Sequence, residues 1–371
     1  MSVAVDQSQV RPPAAQVTPV AGAVVVGVDT HQQTHHAAVI DLEGRRLGDR
    51  GFAATEAGYD ELIAWVRSYS TIGALARVGV ESTGSYGAGL ARRLSTAGVD
   101  LYEVNRPEKT TRVKHGKSDP VDAYCAAEQV RTGRARGRAK LTTSAAESLR
   151  MLKVPRDSAV RERTRAYCQL RDLITAAPAP IHDTLINLTG KQRLAHVIRF
   201  RVDPNRLADP VQAAKYALRA LGQRIKTLDI EIHTADHHIT RLVRETVPTL
   251  LAMRQVGPQT AAQLLITAGQ NIDRMHSEAA FAKLTGVAPL PASSGKTNRH
   301  RLNRGGDRQA NSALYMIIVG RMKNHPETRA YVRRRAAQNM TNAEIIRCLK
   351  RHLARAIYQA LRTDLTTLDD L

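Results

Sequence analysis

The sequence predicts a mixed α/β domain over residues 21–142, followed by an all-α remainder. Three observations carry that expectation. Runs of β-branched residues fall before residue 105 and fade after about 145. Beyond that point apolar residues recur every three or four positions, the helical period. Basic charge also accumulates along the chain. Residues 1–140 hold 18 basic and 15 acidic side chains, 141–290 hold 21 and 13, and 291–360 hold 15 and 3.

The elements follow in order. Residues 1–20 are rich in Pro, Gln and Ala and read as a disordered tail, without the basic start and apolar run of a signal peptide. Residues 23–28 (AVVVGV) form a strand ending at Asp29, 36–40 a second, and 51–54 a third. Leu62, Ile63 and Val66 give helical spacing to 56–69. A fourth strand, 77–80, stops at Glu81; a helix (86–97), a strand (99–104), a loop (106–117) and a helix from about Ser118 follow. This is the element order of an RNase H/RuvC-like fold, where the first and fourth strands are neighbours and the last helix packs beside them.

Residues 143–247 read as a helical segment. Pro155 is expected to interrupt one helix, and Pro178 and Pro180 to end the next. The series Val211, Ala214, Leu218, Leu221, Ile225, Leu228, Ile232, Ala235, Ile239, Leu242 is an a/d heptad seam. It suits one helix of a local bundle, a coiled coil between chains, or an antiparallel coiled coil with residues 157–177. Residues 248–371 read as a basic helical domain: helices over 249–286 with a turn at Val256-Gly257-Pro258, a Gly/Ser/Asn-rich loop (291–312), and helices near 311–323 and 341–361.

The chain has 371 residues, 43% of them hydrophobic, enough for two or three cores. Lys and Arg total 55 against 34 acids, a net charge of +21. Such an excess favours a polyanion, because each cation at a phosphate releases counterions. Charge alone does not separate DNA from RNA or from an acidic membrane, but the longest apolar stretch, near Ile317, is too short to span a bilayer. Cys125, Cys168 and Cys348 lie far apart without zinc-site spacing, which suits free thiols in the cytoplasm.

Four acids stand out by position. Asp29 ends the first strand and Glu81 the fourth, while Asp119 and Asp122 share one face of a helix start. In the predicted fold these carboxylates converge, and converged carboxylates need cations; hard oxygen ligands suit Mg²⁺ or Mn²⁺. Two such ions can drive phosphodiester chemistry. Lys109, Arg112, Lys114 and Lys117 crowd the preceding loop, as phosphate contacts or as a solvated charge run. His31, His35 and His36 are read as alternation along a strand edge rather than as ligands.

Residues 286–312 read GVAPLPASSGKTNRHRLNRGGDRQANS. Ser293 and Ser294 precede Gly295, where backbone can approach a phosphate, and Lys296, Arg299, Arg301, Arg304 and Arg308 surround them. By composition this is a flexible basic loop. Upstream, 250–265 (LLAMRQVGPQTAAQLL) resembles a helix-hairpin-helix whose turn, at Gly257, would contact phosphates; the usual first glycine is Gln255.

Four blocks in order, GVDTHQQTHHAAVID, GVESTGSYG, KHGKSDPVDA and GVAPLPASSGK…RLNRGGDRQAN, resemble the DEDD transposases of insertion sequence family 110 from residue 23 to about 358. The resemblance implies a RuvC-like domain, a coiled-coil segment and a transposase domain with a nucleophilic serine. It carries the acids to Asp29, Glu81, Asp119 and Asp122, and the nucleophile to Ser294, with Ser293 as the alternative. It further implies a covalent phosphoserine link to DNA, active sites shared between subunits of an oligomer, and a structured guide RNA from the element that pairs with DNA. Two departures are local: Gln309-Ala310-Asn311 stands where Leu-Arg is common, and Pro155 lies in a helix often continuous. A water-using junction nuclease and a non-catalytic nucleic-acid-binding protein are the competing readings.

Overall fold

The computed structural model describes residues 19–104, 118–135, 137–140, 143–270, 275–292 and 300–369. Two units separate at 143/144. The first is built on β1 (Val24–Thr30), β2 (Thr34–Ile40), β3 (Arg46–Ala53), β4 (Leu75–Glu81) and β5 (Leu101–Val104). Their order is β3-β2-β1-β4-β5, with β2 antiparallel to both neighbours and β4 parallel to β1 and β5. The first and fourth strands are therefore adjacent, as the sequence reading requires.

Strand alternation sorts the side chains of β1. Val24, Val26 and Val28 face a core shared with α1 (Glu56–Arg67) and α2 (Ala88–Thr96), through Leu62, Val66, Leu90 and Leu94. Val25 belongs to a separate core on the opposite face, with Ala126, Ala127 and Val130 of α3 (Asp119–Arg131). Gly27 and Asp29 continue that face. The strand β3 starts earlier than its apolar residues suggest. As an edge strand it exposes Arg46 and buries only Phe52, so its period is hidden under polar side chains. Val20, assigned to the tail by composition, is anchored instead: its N–H donates to Tyr69 O at 2.8 Å. The rest of the tail, 1–18, lies outside the described residues.

The described elements of the second unit are helices and one short ribbon. Helix α4 (Ala145–Thr175) runs unbroken through Pro155, contrary to the sequence expectation. Pro155 and Met151 both face solvent, where water can satisfy the carbonyl that the missing N–H leaves free. As expected, the helix stops just short of Pro178, at Thr175; Pro178 and Pro180 also stand at the start of α5 (Ala179–Leu185), where proline fits the first turn. After α6 (Gly190–Ile198), α7 (Pro210–Thr246) runs antiparallel to α4: Arg163 meets Asp229 and Arg156 meets Asp236, each at 2.8 Å. The heptad seam is used here within the chain. Leu218, Ile225, Ile232 and Ile239 are buried, whereas Leu221, Leu228 and Leu242 are half-buried.

The chain continues through α8 (Pro248–Ala252), α9 (Pro258–Ala268), α10 (Glu278–Leu284), the paired β6 (Leu290–Pro291) and β7 (His300–Arg301), α11 (Arg308–Asn324), α12 (Pro326–Ala336) and α13 (Asn342–Asp369). One core joins Leu264, Phe281, Leu314, Leu353, Ile357 and Leu361. Among the described residues no helix is long and apolar enough to cross a membrane.

Candidate metal centre

Helix α3 reaches the sheet through an absence of side chains. Gly27 and Gly79 are register partners on β1 and β4, beneath Ala123, Ala126 and Ala127. A Cβ on Gly27 would stand 2.1 Å from Ala123 O; one on Gly79 would meet Val130 and Val104 side chains at 2.5 and 2.7 Å. Two residues on, and so on the same strand face, come Asp29 and Glu81. They lie one position beyond the Val28–Val80 pair, at neighbouring strand ends. Thr30 Oγ1 donates to Glu81 O at 3.1 Å and ties those ends together. Ser118 is the N-cap of α3, with Asp119 and Asp122 in its first turn. The positive end of the helix dipole favours carboxylates there.

Asp29, Glu81 and Asp122 are buried, with only 6%, 6% and 4% of each exposed, while Asp119 is exposed. His31 bridges the group. Its Nε2 lies 3.2 Å from Asp29 Oδ2 and 3.3 Å from Asp119 Oδ1. Asp29, His31 and Asp119 present one ligand atom each, all within 4.8 Å of one another. Burial pushes the Asp29 carboxyl up from its ordinary value, and the Asp122 and Asp119 carboxylates push the same way, against the lowering effect of His31. Ionised Asp29 thus stands where positive charge is wanted. The donor set, mostly carboxylate oxygens at a helix N-terminus, fits a hard divalent cation.

The three histidines have separate environments. His35 is fully buried and stacked on Tyr59, and His36 pairs with Asp49 at 2.7 Å. His31 alone joins the acids, a role that the sequence reading missed. The available signal was its place two residues after Asp29, just past the strand end.

The other predicted binding residues stand in the second unit or outside the described residues. Lys109, Arg112, Lys114, Lys117, Ser293, Ser294, Lys296 and Arg299 are among the latter. Arg301 in β7, Arg304 and Arg308 at the start of α11 are exposed. The strands β6 and β7 form the stem of the serine segment, with Leu290 opposite Arg301. Asn311, in the stretch that departs from the resembled pattern, latches the base of this region. Its Nδ2 donates to Thr285 O (2.9 Å) and Gly286 O (3.1 Å), and its Oδ1 accepts from Lys350 Nζ at 2.8 Å. Gln255 adopts φ 66°, the left-handed conformation that glycine usually supplies in a hairpin turn. The N–H of Gly257 donates to Thr260 Oγ1 at 3.0 Å within that turn.

Comparison with known proteins gives two family matches. A DEDD model of IS110, described as a transposase, matches residues 26–177, and a model described as a transposase of the IS116/IS110/IS902 family matches residues 247–333. The chain is 25% identical to an uncharacterized 43.6 kDa protein of insertion element IS110 from Streptomyces coelicolor, over 91% of this chain and 94% of that one. It is 26% identical to an uncharacterized 42 kDa protein of insertion element IS900 from Mycobacterium paratuberculosis, over 91% and 96%. With an uncharacterized 44.8 kDa protein of insertion element IS116 from Streptomyces clavuligerus, identity is 23% over 91% and 94%.

Proposed function

The chain belongs to the IS110 family of transposases, enzymes that cut and rejoin DNA, and we propose that it moves its element by metal-assisted serine strand transfer. The observation that most supports this reading is the meeting of Asp29 and Asp119 at one ligand cluster, with buried Asp122 on the same helix turn. Asp29, Glu81, Asp119 and Asp122 would hold Mg²⁺ or Mn²⁺, and these ions would supply the positive charge that phosphodiester cleavage needs.

Ser294 is the proposed nucleophile. Its Oγ bonds to phosphorus as the bond to the leaving strand breaks, and its proton passes to the oxygen of that strand; a hydroxyl of the incoming strand then displaces the serine, whose Oγ takes back the proton. Arg301, Arg304 and Arg308, with Lys296 and Arg299, would clamp the phosphate, and Lys109, Arg112, Lys114, Lys117 and the Gly257 turn would hold DNA backbone. A structured guide RNA from the element would choose the sites by base pairing, and the working species would be a homo-oligomer.

The test is a denaturing gel of protein, Mg²⁺, the transcribed non-coding end of the element and labelled junction DNA. A protease-sensitive DNA–protein band is expected, lost in Ser294→Ala and in Asp29→Asn. Cleavage that persists in Ser294→Ala without an adduct would replace serine transfer with a water-using nuclease. Omitting the RNA should abolish both cleavage and adduct.

A further inference from the structure

The imidazole between the acids has a geometry of its own. β1 ends at Thr30 and β2 begins at Thr34, so His31 opens a three-residue hairpin turn. The turn is pinned by His31 N–H to Thr34 O at 3.0 Å and by Ala54 N–H to Gln33 O at 2.9 Å. From this turn the ring reaches the Asp29 carboxylate of β1 and the Asp119 carboxylate of α3. A single nitrogen, Nε2, lies almost equally far from two carboxylate oxygens on different elements, 3.2 and 3.3 Å away. One imidazole N–H points in one direction and serves one acceptor well. Ligand atoms at adjacent corners of an octahedron around an ion with bonds of about 2.1 Å lie about 3 Å apart, close to both distances.

We propose that His31 Nε2 is a protein ligand of the cation shared by Asp29 and Asp119, and that it tilts the site from Mg²⁺ towards Mn²⁺. The inference rests on the metal-site reading above and adds to it the identity of a ligand and a preference. Mg²⁺ keeps to oxygen ligands and water, whereas first-row transition ions accept imidazole readily. A site of carboxylates alone has no such discrimination. Placing the nitrogen on a hairpin turn, outside the carboxylate set, changes the choice of metal without removing an acid.

The test is pulsed electron paramagnetic resonance of Mn²⁺ bound to the full chain, with binding titrations of Mn²⁺ and Mg²⁺ without DNA. Directly bound ¹⁴N should couple to Mn²⁺ in the native protein, and the coupling should vanish in His31→Ala and in His31→Gln. His31→Ala should weaken Mn²⁺ roughly tenfold and leave Mg²⁺ within about twofold. His31→Gln, which offers an oxygen, should bind Mg²⁺ at least as well as the native chain. His31 is half-exposed on its turn, and both variants are checked for unchanged circular dichroism. Mn²⁺ that is bound, lost in Asp29→Asn, but without nitrogen coupling would overturn the role of His31 and leave the metal reading standing. Coupling that survives in His31→Ala would also overturn it. Failure of Asp29→Asn to alter Mn²⁺ binding would overturn both.

Discussion

Where α3 crosses β1, main chain meets main chain: Gly27 lies against Ala123 and Ala127 with no room for another carbon, and its partner Gly79 on β4 is walled in by the Val130 and Val104 side chains. Where α4 runs along α7, the contact is made by long side chains. Leu170 and Ile174 pack with Leu218 and Ile225, and Arg156–Asp236 and Arg163–Asp229 pair along the flank. On its flank towards α6, α7 also meets side chains: Val197 Cγ2 lies 2.8 Å and Ile198 Cγ1 3.1 Å from a Cβ added at Gly222. Main-chain contact leaves no rotamer that can turn aside to admit an added carbon. The close seam carries Asp29, Glu81, Asp119 and Asp122. The looser seam carries no predicted site residue.

The largest effect expected from this contrast is that of Gly27→Ala. Its methyl would collide with Ala123 O and with Ala127 N, at 2.1 and 2.2 Å, neither of which can rotate away. A loss of about 3 kcal/mol, the upper part of the range for overpacked cores, is expected in denaturant unfolding. Mn²⁺ affinity should fall with it, because α3 must lift Asp119 and Asp122 away from Asp29. Unaltered Mn²⁺ affinity would show that the close seam does not set the site.

Asp29→Asn comes next, and its sign depends on the metal. Burial raises the folded carboxyl above its ordinary value of 3.8, so ionising it opposes folding when no cation is present. The stability that the protonated carboxyl lends the folded chain is fully present below the unfolded value and is lost as pH rises through the folded one. Without metal at pH 7, the Asn variant should therefore melt above the native chain, and the gap should close as pH falls towards the carboxylate range. At Mn²⁺ concentrations of about 100 times Kd the native chain should gain about 2.7 kcal/mol and overtake it. Thermal melts with and without Mn²⁺ at both pH values measure this crossing. A variant that never exceeds the native chain would mean that burial does not strain Asp29.

Gly222→Ala tests a side-chain contact of α7, the one it makes with Val197 and Ile198 of α6. Alanine is favoured over glycine inside a helix by about 0.5–1 kcal/mol, while Val197 and Ile198 must shift to admit the methyl. The net change in unfolding free energy should lie within about 1 kcal/mol of zero, with Mn²⁺ binding unaltered. A loss as large as that of Gly27→Ala would erase the distinction between main-chain contact and side-chain contact.

Much of this contrast can be read from residue order. The twin patterns Gly27-Val28-Asp29 and Gly79-Val80-Glu81 set small residues beside acids at strand ends, and the alanines of α3 repeat at helical spacing. The heptad series of α7 likewise predicts a long helix with one buried stripe, but it does not say which surface meets the stripe; α4 does so within the chain. Other features escaped because their local signal was overridden. Helix α12 (PETRAYVRRRA) has too few apolar residues to show a stripe, and β3 hides its period at a polar edge. His31 escaped because a histidine's role depends on what lies across space from it, here an aspartate 88 positions further along the chain.

The smallest expected effect is the coupling between Arg163 and Asp229. Their side chains are 33% and 41% exposed, so water screens the pair despite its 2.8 Å separation. A double-mutant cycle to alanine should give an interaction of about 0.5 kcal/mol at low salt, shrinking towards zero near 1 M as the Debye length falls to about 3 Å. Such a value would mean that the α4–α7 hairpin is held by its aliphatic stripe and that the ion pairs chiefly select register. A coupling above about 2 kcal/mol that resists salt would instead make the pair a fixed anchor. The hairpin would then be as exacting as the glycine seam, with its precision residing in charge rather than in close backbone contact.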